Sequence, residues 1–219
     1  MKIVAMGDIH ERVKAFSILE KEVSSADLVI LTGDLTQYGN EEKAGGVLKV
    51  VRGLNSNILA QVGNLDSLGI DSFLTREGIN IHGKGKFVEG VGIFGCGGSG
   101  ATPFHTPVEF SEDELKGFLE SGYRDIKDAV LKVMICHTPP LNTEVDMIPS
   151  GAHVGSKAVR EFIENHQPDL CITGHIHEAA GEDSIGKTKI INPGPFSEGG
   201  YVVINVEDGE LEADLRYLT

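Results

Sequence analysis

Five short polar clusters hold the side chains most suited to chemistry: Asp8-Ile9-His10, Gly33-Asp34, Gly63-Asn64-Leu65-Asp66, His137 and Gly174-His175-Ile176-His177. Each follows a run that reads as a buried β-strand. Asp8 and His10 are two residues apart, and in an extended segment that spacing points both side chains the same way, so they can grip one ion together. The Asp34 carboxylate has two oxygens and can bridge a pair of metals, Asn64 offers an uncharged amide oxygen, and His137, His175 and His177 add imidazole nitrogens. Carboxylate, amide and imidazole donors without a thiolate select manganese, iron, zinc, nickel or cobalt over calcium or a structural cysteine-zinc site. Any one cluster alone is more often a turn, a helix cap or a satisfied core histidine than a metal ligand. Five of them at the carboxyl ends of strands point instead to a shared metal site.

The elements that must position these clusters alternate between strand and helix. Lys2 to Met6 is a short apolar run, and Val13, Phe16, Leu19 and Val23 then recur at helical spacing through Ser24. Asp27 to Thr32 reads as a second strand, Glu41 to Arg52 as a helix and Asn57 to Val62 as a third strand. Crossovers of this βαβαβ kind are right-handed and join parallel strands, which puts the three carboxyl ends on one edge. Lys86 to Phe94 suggests a hairpin around Gly90, followed by a glycine run at Gly95 to Gly100 and a long loop through Phe110. Ser111 and Glu114 form a capping box for a helix to about Glu120. Leu131 to Cys136 and Asp169 to Thr173 are strands, with a helix from Ser156 to Asn165 between them. Thr188 to Ile191, Tyr201 to Val206 and Glu210 to Tyr217 complete the pattern, with turns at Pro193 to Pro195 and Asp208-Gly209. Without a linker, repeat or low-complexity run, residues 1–219 read as a single domain.

Composition excludes several function classes. The net charge of −14 opposes binding to nucleic acid and to anionic membranes. No apolar stretch has the length of a membrane helix, and Met1-Lys2-Ile3-Val4 reads as entering a strand and not a signal peptide. The expectation is a soluble cytoplasmic protein. Three cysteines without CxxC spacing read as reduced core thiols.

The series Asp8-x-His10, Gly33-Asp34, Gly63-Asn64, His137 and Gly174-His175-x-His177 resembles the calcineurin-like metallophosphoesterase superfamily. The runs His137-Thr138-Pro139-Pro140, Gly151-x-His153-x-Gly155-Ser156 and Asn192-Pro193-Gly194-Pro195 are similar to its prokaryotic branch related to cyclic-nucleotide phosphodiesterases. The resemblance implies a four-layer α/β/β/α sandwich of two mixed sheets flanked by helices, with two divalent metals, manganese first and iron, nickel, zinc or cobalt as alternatives. One metal would take Asp8, His10 and His177, the other Asn64, His137 and His175, and Asp34 would bridge them. It further implies hydrolysis of a small or nucleotide-like phosphoester by a hydroxide bridging metals roughly 3.5–4 Å apart. A nuclease or a non-catalytic metal-binding module of the same fold is the alternative, and pairing of the apolar C-terminal strands would allow a homo-oligomer.

One position departs from the family pattern. After the Gly-Asn the family usually carries a histidine, sometimes a cysteine, that protonates the leaving oxygen or contacts the phosphate; here it is Leu65, while the accompanying Asp66 is kept and joins Asp34, Asn64 and His153 as the catalytic candidates. His153 and His105 are the candidate replacement donors. Gly155 and Ser156, where a helix starts, are candidates for holding a phosphate on exposed amides. The glycine run lacks the lysine and spacing of a P-loop, and reads as a turn that lets backbone pass near the metal edge. Asn192 to Pro195 is expected at the rim, and His82 and His166 are expected on the surface.

Overall fold

A computed structural model describes residues 1–218. In its first sheet, β1 (Lys2–Met6), β2 (Leu28–Leu31) and β3 (Ile58–Ala60) run parallel. The hairpin of β10 (Gly200–Glu207) and β11 (Glu210–Tyr217) adds antiparallel to β1, giving the order β11-β10-β1-β2-β3. In the second sheet, β5 (Val91–Cys96), β6 (Leu131–Cys136), β7 (Leu170–Ile172) and β9 (Thr188–Asn192) are parallel. The edge strands β4 (Gly85–Val88) and β8 (Gly181–Ile185) are antiparallel to them.

Side-chain alternation along β1 shows how the layers stack. Ile3 and Ala5 join the core between the two sheets, with Ile30, Ile93, Ile135 and Ile172. Val4 and Met6 face the other way, into a core shared with α2 (Glu41–Arg52) and α3 (Leu68–Arg76). Phe94, Met134 and Cys171 on the outer face of the second sheet pack against α4 (Glu112–Asp125) and α5 (Lys157–His166) through Leu115, Leu119, Phe162 and Ile163. Three cores thus separate four layers, as the resemblance implied. A one-residue slip of β1 would exchange its two cores, so packing fixes the register that aims the residues after Met6.

Several sequence expectations change. Val13 to Ser24 is not one helix but a 3₁₀ segment, Val13–Ser17, followed by α1 (Glu20–Ser24). The Ser17 hydroxyl donates to the Lys14 carbonyl at 2.8 Å, a local bond that competes with helix continuation. The pieces still bury Phe16, Leu19 and Val23, with Phe16 against Phe196 at 4.5 Å between ring centroids. α3 and β8 carry weak sequence signals, since Gly69 interrupts the first and Glu182 and Asp183 make the second read as polar. α4 runs on to Asp125, with its capping box at Ser111 and Glu114 present. Cys96, Cys136 and Cys171 are free and fully buried. Among the described residues, no helix is long and apolar enough to cross a membrane.

Candidate metal centre

The carboxyl ends of β1, β2, β3, β6 and β7 meet at one edge, and all seven candidate ligands lie there. His177 Nε2 stands 3.2 Å from Asp8 Oδ1, and His10 Nε2 stands 3.8 Å from the same oxygen and 3.4 Å from His177 Nε2. On the other side, Asn64 Oδ1 is 2.8 Å from His175 Nδ1 and 3.2 Å from His137 Nε2, which is 3.6 Å from Asp34 Oδ2. Donor atoms of Asp8, His10 and His177 lie within 4.8 Å of one another, as do those of Asp8, Asp34 and His137. Two imidazole nitrogens facing each other across a carboxylate oxygen satisfy a cation better than they satisfy each other, so the donor set fits divalent metal.

The backbone is bent hard to achieve this. Asp8, His10, Asp34 and His175 have φ of 49°, 48°, 49° and 67°, a left-handed conformation that costs non-glycine residues energy and clusters at functional sites. The glycines of the motifs make room. A Cβ on Gly63 would stand 2.1 Å from Asp34 Oδ1, and one on Gly174 would stand 2.5 Å from Asp8 Oδ2. Outer partners fix the rings: His137 Nδ1 lies 3.3 Å from the Thr32 carbonyl, which leaves Nε2 to face the site. Asn192 is buried and donates to the Ile176 carbonyl at 2.8 Å, so it locks the loop between the candidate ligands His175 and His177.

Burial and charge act against each other on these groups. Burial opposes a charge on His137, but Asp34 and then Asp8 overcome it and push the imidazole up to about 9. His175 is buried beside His137 and falls to about 4. For Asp8, burial favours the neutral acid, yet the His177 hydrogen bond and the neighbouring imidazoles bring it to about 2.

Asp66, read as catalytic, is placed differently. It is fully buried and accepts hydrogen bonds from Gly63 N at 3.0 Å, Leu35 N at 3.1 Å, Thr36 N at 2.9 Å and the Thr36 hydroxyl at 2.7 Å. Burial, with the Asp34 charge second, pushes its carboxyl up to about 7 against these donors. Asp66 therefore ties the Asp34 loop to the Asn64 loop and is a positioning residue.

Beside the ligands opens a cavity of about 260 Å³, reached from His175 and lined by Thr102, Phe110, Ser111, Glu112 and Thr138, among others. Gly155 and Ser156 line it too, but the helix amides there are occupied: Ala158 N donates to Glu112 Oε2 at 2.6 Å and Val159 N to Ser156 Oγ at 3.2 Å. The expected phosphate cradle already holds a carboxylate. His105 is exposed and does not line the cavity, because Glu109 gathers Thr102 and Thr106 at 2.6 Å each into a turn that leaves Phe104 and His105 at the surface. His153 does not line the cavity either, but it directly precedes the lining residues Val154 and Gly155, and its Nδ1 lies 2.6 Å from Oδ1 of the fully buried Asp146. The glycine run is a close-approach turn: Gly98 N donates to the Val62 carbonyl at 3.0 Å and Gly97 N to His82 Nδ1 at 2.9 Å. His82 is accordingly no plain surface residue, since its ring also packs on Phe118 at 4.2 Å. His166 likewise packs on Phe162 at 4.3 Å and pairs with Glu120 at 3.2 Å.

The family model described as "Metallophosphoesterase, calcineurin superfamily" matches residues 80–215, which include β4 to β10, His137, His175 and His177. The chain belongs to that superfamily. The uncharacterized protein MJ1162 of Methanocaldococcus jannaschii is 34% identical over 203 residues, covering 90% of this chain and 89% of its own. That alignment is long enough to reach beyond the segment matched by the family model. Among solved structures, TT1561 of Thermus thermophilus superposes with a TM-score of 0.73 at 19% identity, covering 97% of both chains. Purple acid phosphatase PPD1 from yellow lupin gives 0.67 at 12% identity, over 99% of this chain and 51% of its own. These two likenesses show the fold: mixed α/β, with two mixed sheets flanked by helices. Membership of the superfamily also makes the chain a metal-dependent phosphoric ester hydrolase.

Proposed function

We propose that this metallophosphoesterase is a phosphodiesterase for small, nucleotide-like esters, working with two divalent metals, manganese first among them. The observation that carries the reading is the pair of imidazole nitrogens 3.4 Å apart beside Asp8, backed by the second group around Asn64. Asp8, His10 and His177 would hold one ion, Asn64, His137 and His175 the other, and Asp34 would bridge. Bound metals would supply the charge that acidifies water and neutralises the phosphoryl oxygens.

The chain's own residues supply orientation and the proton. Leu65 N donates to Asp34 Oδ1 at 2.8 Å and Asp66 anchors the surrounding loops, so Asp34 is held in place. His153, oriented through Nδ1 by Asp146, is the proposed donor to the leaving oxygen through Nε2. The cavity beside His175 has no lysine or arginine among its described lining residues, which suits a monoanionic diester better than a dianionic monoester. The net charge of −14 favours small substrates over polyanions.

The test is to load the protein separately with manganese, nickel and zinc and compare bis(4-nitrophenyl) phosphate, 4-nitrophenyl phosphate and a cyclic nucleotide. Faster diester turnover is expected. Faster monoester turnover would reject the diester assignment, and no turnover with two ions bound would reject catalysis.

A further inference from the structure

Glu112 is the least expected residue beside the metal centre. It opens α4, and its side chain crosses to α5, where Oε2 accepts from the Ser156 hydroxyl at 2.7 Å and from Ala158 N at 2.6 Å. Those two donors fix the carboxylate while leaving Oε1 free of them, and a Cβ on Gly100, another residue of the cavity wall, would lie 4.0 Å from that oxygen. Around it the wall is formed by Thr102, Ser111 and Thr138, whose hydroxyls donate to Glu109, Glu114 and the Gly98 carbonyl and keep their oxygens as acceptors, and by the Phe110 ring, which His82 and Phe118 hold at 5.4 Å and 4.9 Å between centroids. His175, a ligand of the metal centre, closes one end.

The geometry points to this cavity as the seat of the organic group of the phosphoester: an uncharged, hydroxyl-bearing moiety such as a sugar or polyol. Glu112 is its specificity-determining acceptor, and a second phosphate in that place is rejected. The assignment rests on the phosphoesterase reading above, because it needs the reacting phosphoryl group at the metal centre. A fixed carboxylate beside hydroxyls accepts from substrate O–H groups and repels an anion, and no cationic side chain among the described lining residues offsets that repulsion. Size agrees. At about 260 Å³ the cavity falls just under the roughly 300–1,000 Å³ of sites that enclose drug-sized ligands, which suits a sugar and not a second nucleotide.

Two ligands without an ester bond test this by binding alone: 3,4-dihydroxybutylphosphonate and butane-1,4-bisphosphonate, titrated calorimetrically into the manganese-loaded protein. The diol is expected to bind at least tenfold more tightly. Glu112→Gln keeps an oxygen for Ala158 N and so keeps the α5 contact, and it should shrink the diol preference at least threefold. Asp113→Asn makes the same change in net charge on a neighbouring exposed side chain outside the cavity lining, and it should leave the preference unchanged. A bisphosphonate that binds as tightly as the diol overturns the assignment. An equal shift from Glu112→Gln and Asp113→Asn overturns the role of Glu112, since it would mark a long-range charge effect. Failure of the activity itself is separate: it shows as intact bis(4-nitrophenyl) phosphate with every metal, whatever the two phosphonates do.

Discussion

The amide of Leu65 donates a 2.8 Å hydrogen bond to Asp34 Oδ1. The residue after the Gly-Asn pair therefore serves the centre through its backbone, and that service is indifferent to the side chain. This separates two jobs that the family usually gives one residue. Metal-centre geometry survives a leucine there, whereas proton donation from that side chain does not.

Leu65→His should restore the second job. A positioned general acid contributes about 10²–10⁴-fold, and most where the leaving alcohol is a poor one. The variant is expected to raise kcat for an alkyl phosphodiester by about tenfold or more, with a smaller gain for a nitrophenyl diester. Equal gains on both would show that protonation does not limit turnover. His153→Gln, assayed on the same pair, should slow the alkyl ester selectively if the His153–Asp146 pair supplies the proton.

Asp34→Asn tests which carboxylate is shared. Asp8 has a donor atom in both ligand groups, while Asp34 approaches His137 and is tethered by Leu65. With Asp34 as the bridge, metal analysis of the variant should find both ions lost and kcat lowered by at least a thousandfold. Retention of one ion would assign the bridge to Asp8.

The convergence of the seven candidate ligands was legible because its signal is local. A strand pattern, then glycine and a donor, repeats at five places, and parallel topology gathers the ends. Relations that cross between distant elements were not legible. Glu112 meets Ser156 and Ala158 across the α4–α5 seam, 44 and 46 residues away, and in sequence it is only one acid in the first turn of a helix. Asp66 sits next to the site in sequence, but its oxygens are taken by backbone from the Asp34 loop, 30 and 31 residues earlier, so proximity alone suggested a catalytic role. His82 has a plain sequence context, and only the fold brings Phe118 and the glycine run to it. β8 failed for another reason: an edge strand with alternating exposure keeps Glu182 in the solvent, while the half-buried Asp183 accepts from Glu144 N at 2.9 Å, a partner 39 residues earlier.

Metal loading should release protons. Without metal, His137 is held up to about 9 by Asp34 and Asp8 against its burial, so at pH 7 it carries a proton that a metal must displace. The affinity of the Asn64-side metal should rise about tenfold per pH unit between pH 7 and 8.5 and level off above about 9. Titration in two buffers of different ionisation heat at pH 7.5 should report about one proton released for that metal. The metal-free fold has the matching dependence: a raised imidazole contributes stability that is full below about 6.5 and is lost as pH rises through about 9. Metal-free Tm should fall across that window, and metal-bound Tm should not.

Two glycine substitutions should act in opposite directions. On Gly63 a Cβ would lie 2.1 Å from Asp34 Oδ1 and 2.3 Å from Asp34 N, both within one tightly hydrogen-bonded turn that cannot retreat without moving the ligand. Gly63→Ala should cost about 2–4 kcal/mol, within the range of severe point mutants, and should weaken metal binding. Gly117 lies inside α4, and a methyl group there would meet nothing within 4 Å, so Gly117→Ala should gain about 0.5–1 kcal/mol from helix propensity alone. Calorimetric Tm values for the two variants check the signs. A Gly63→Ala protein that melts like the parent and binds both metals would show that the Asp34 turn is softer than its packing indicates.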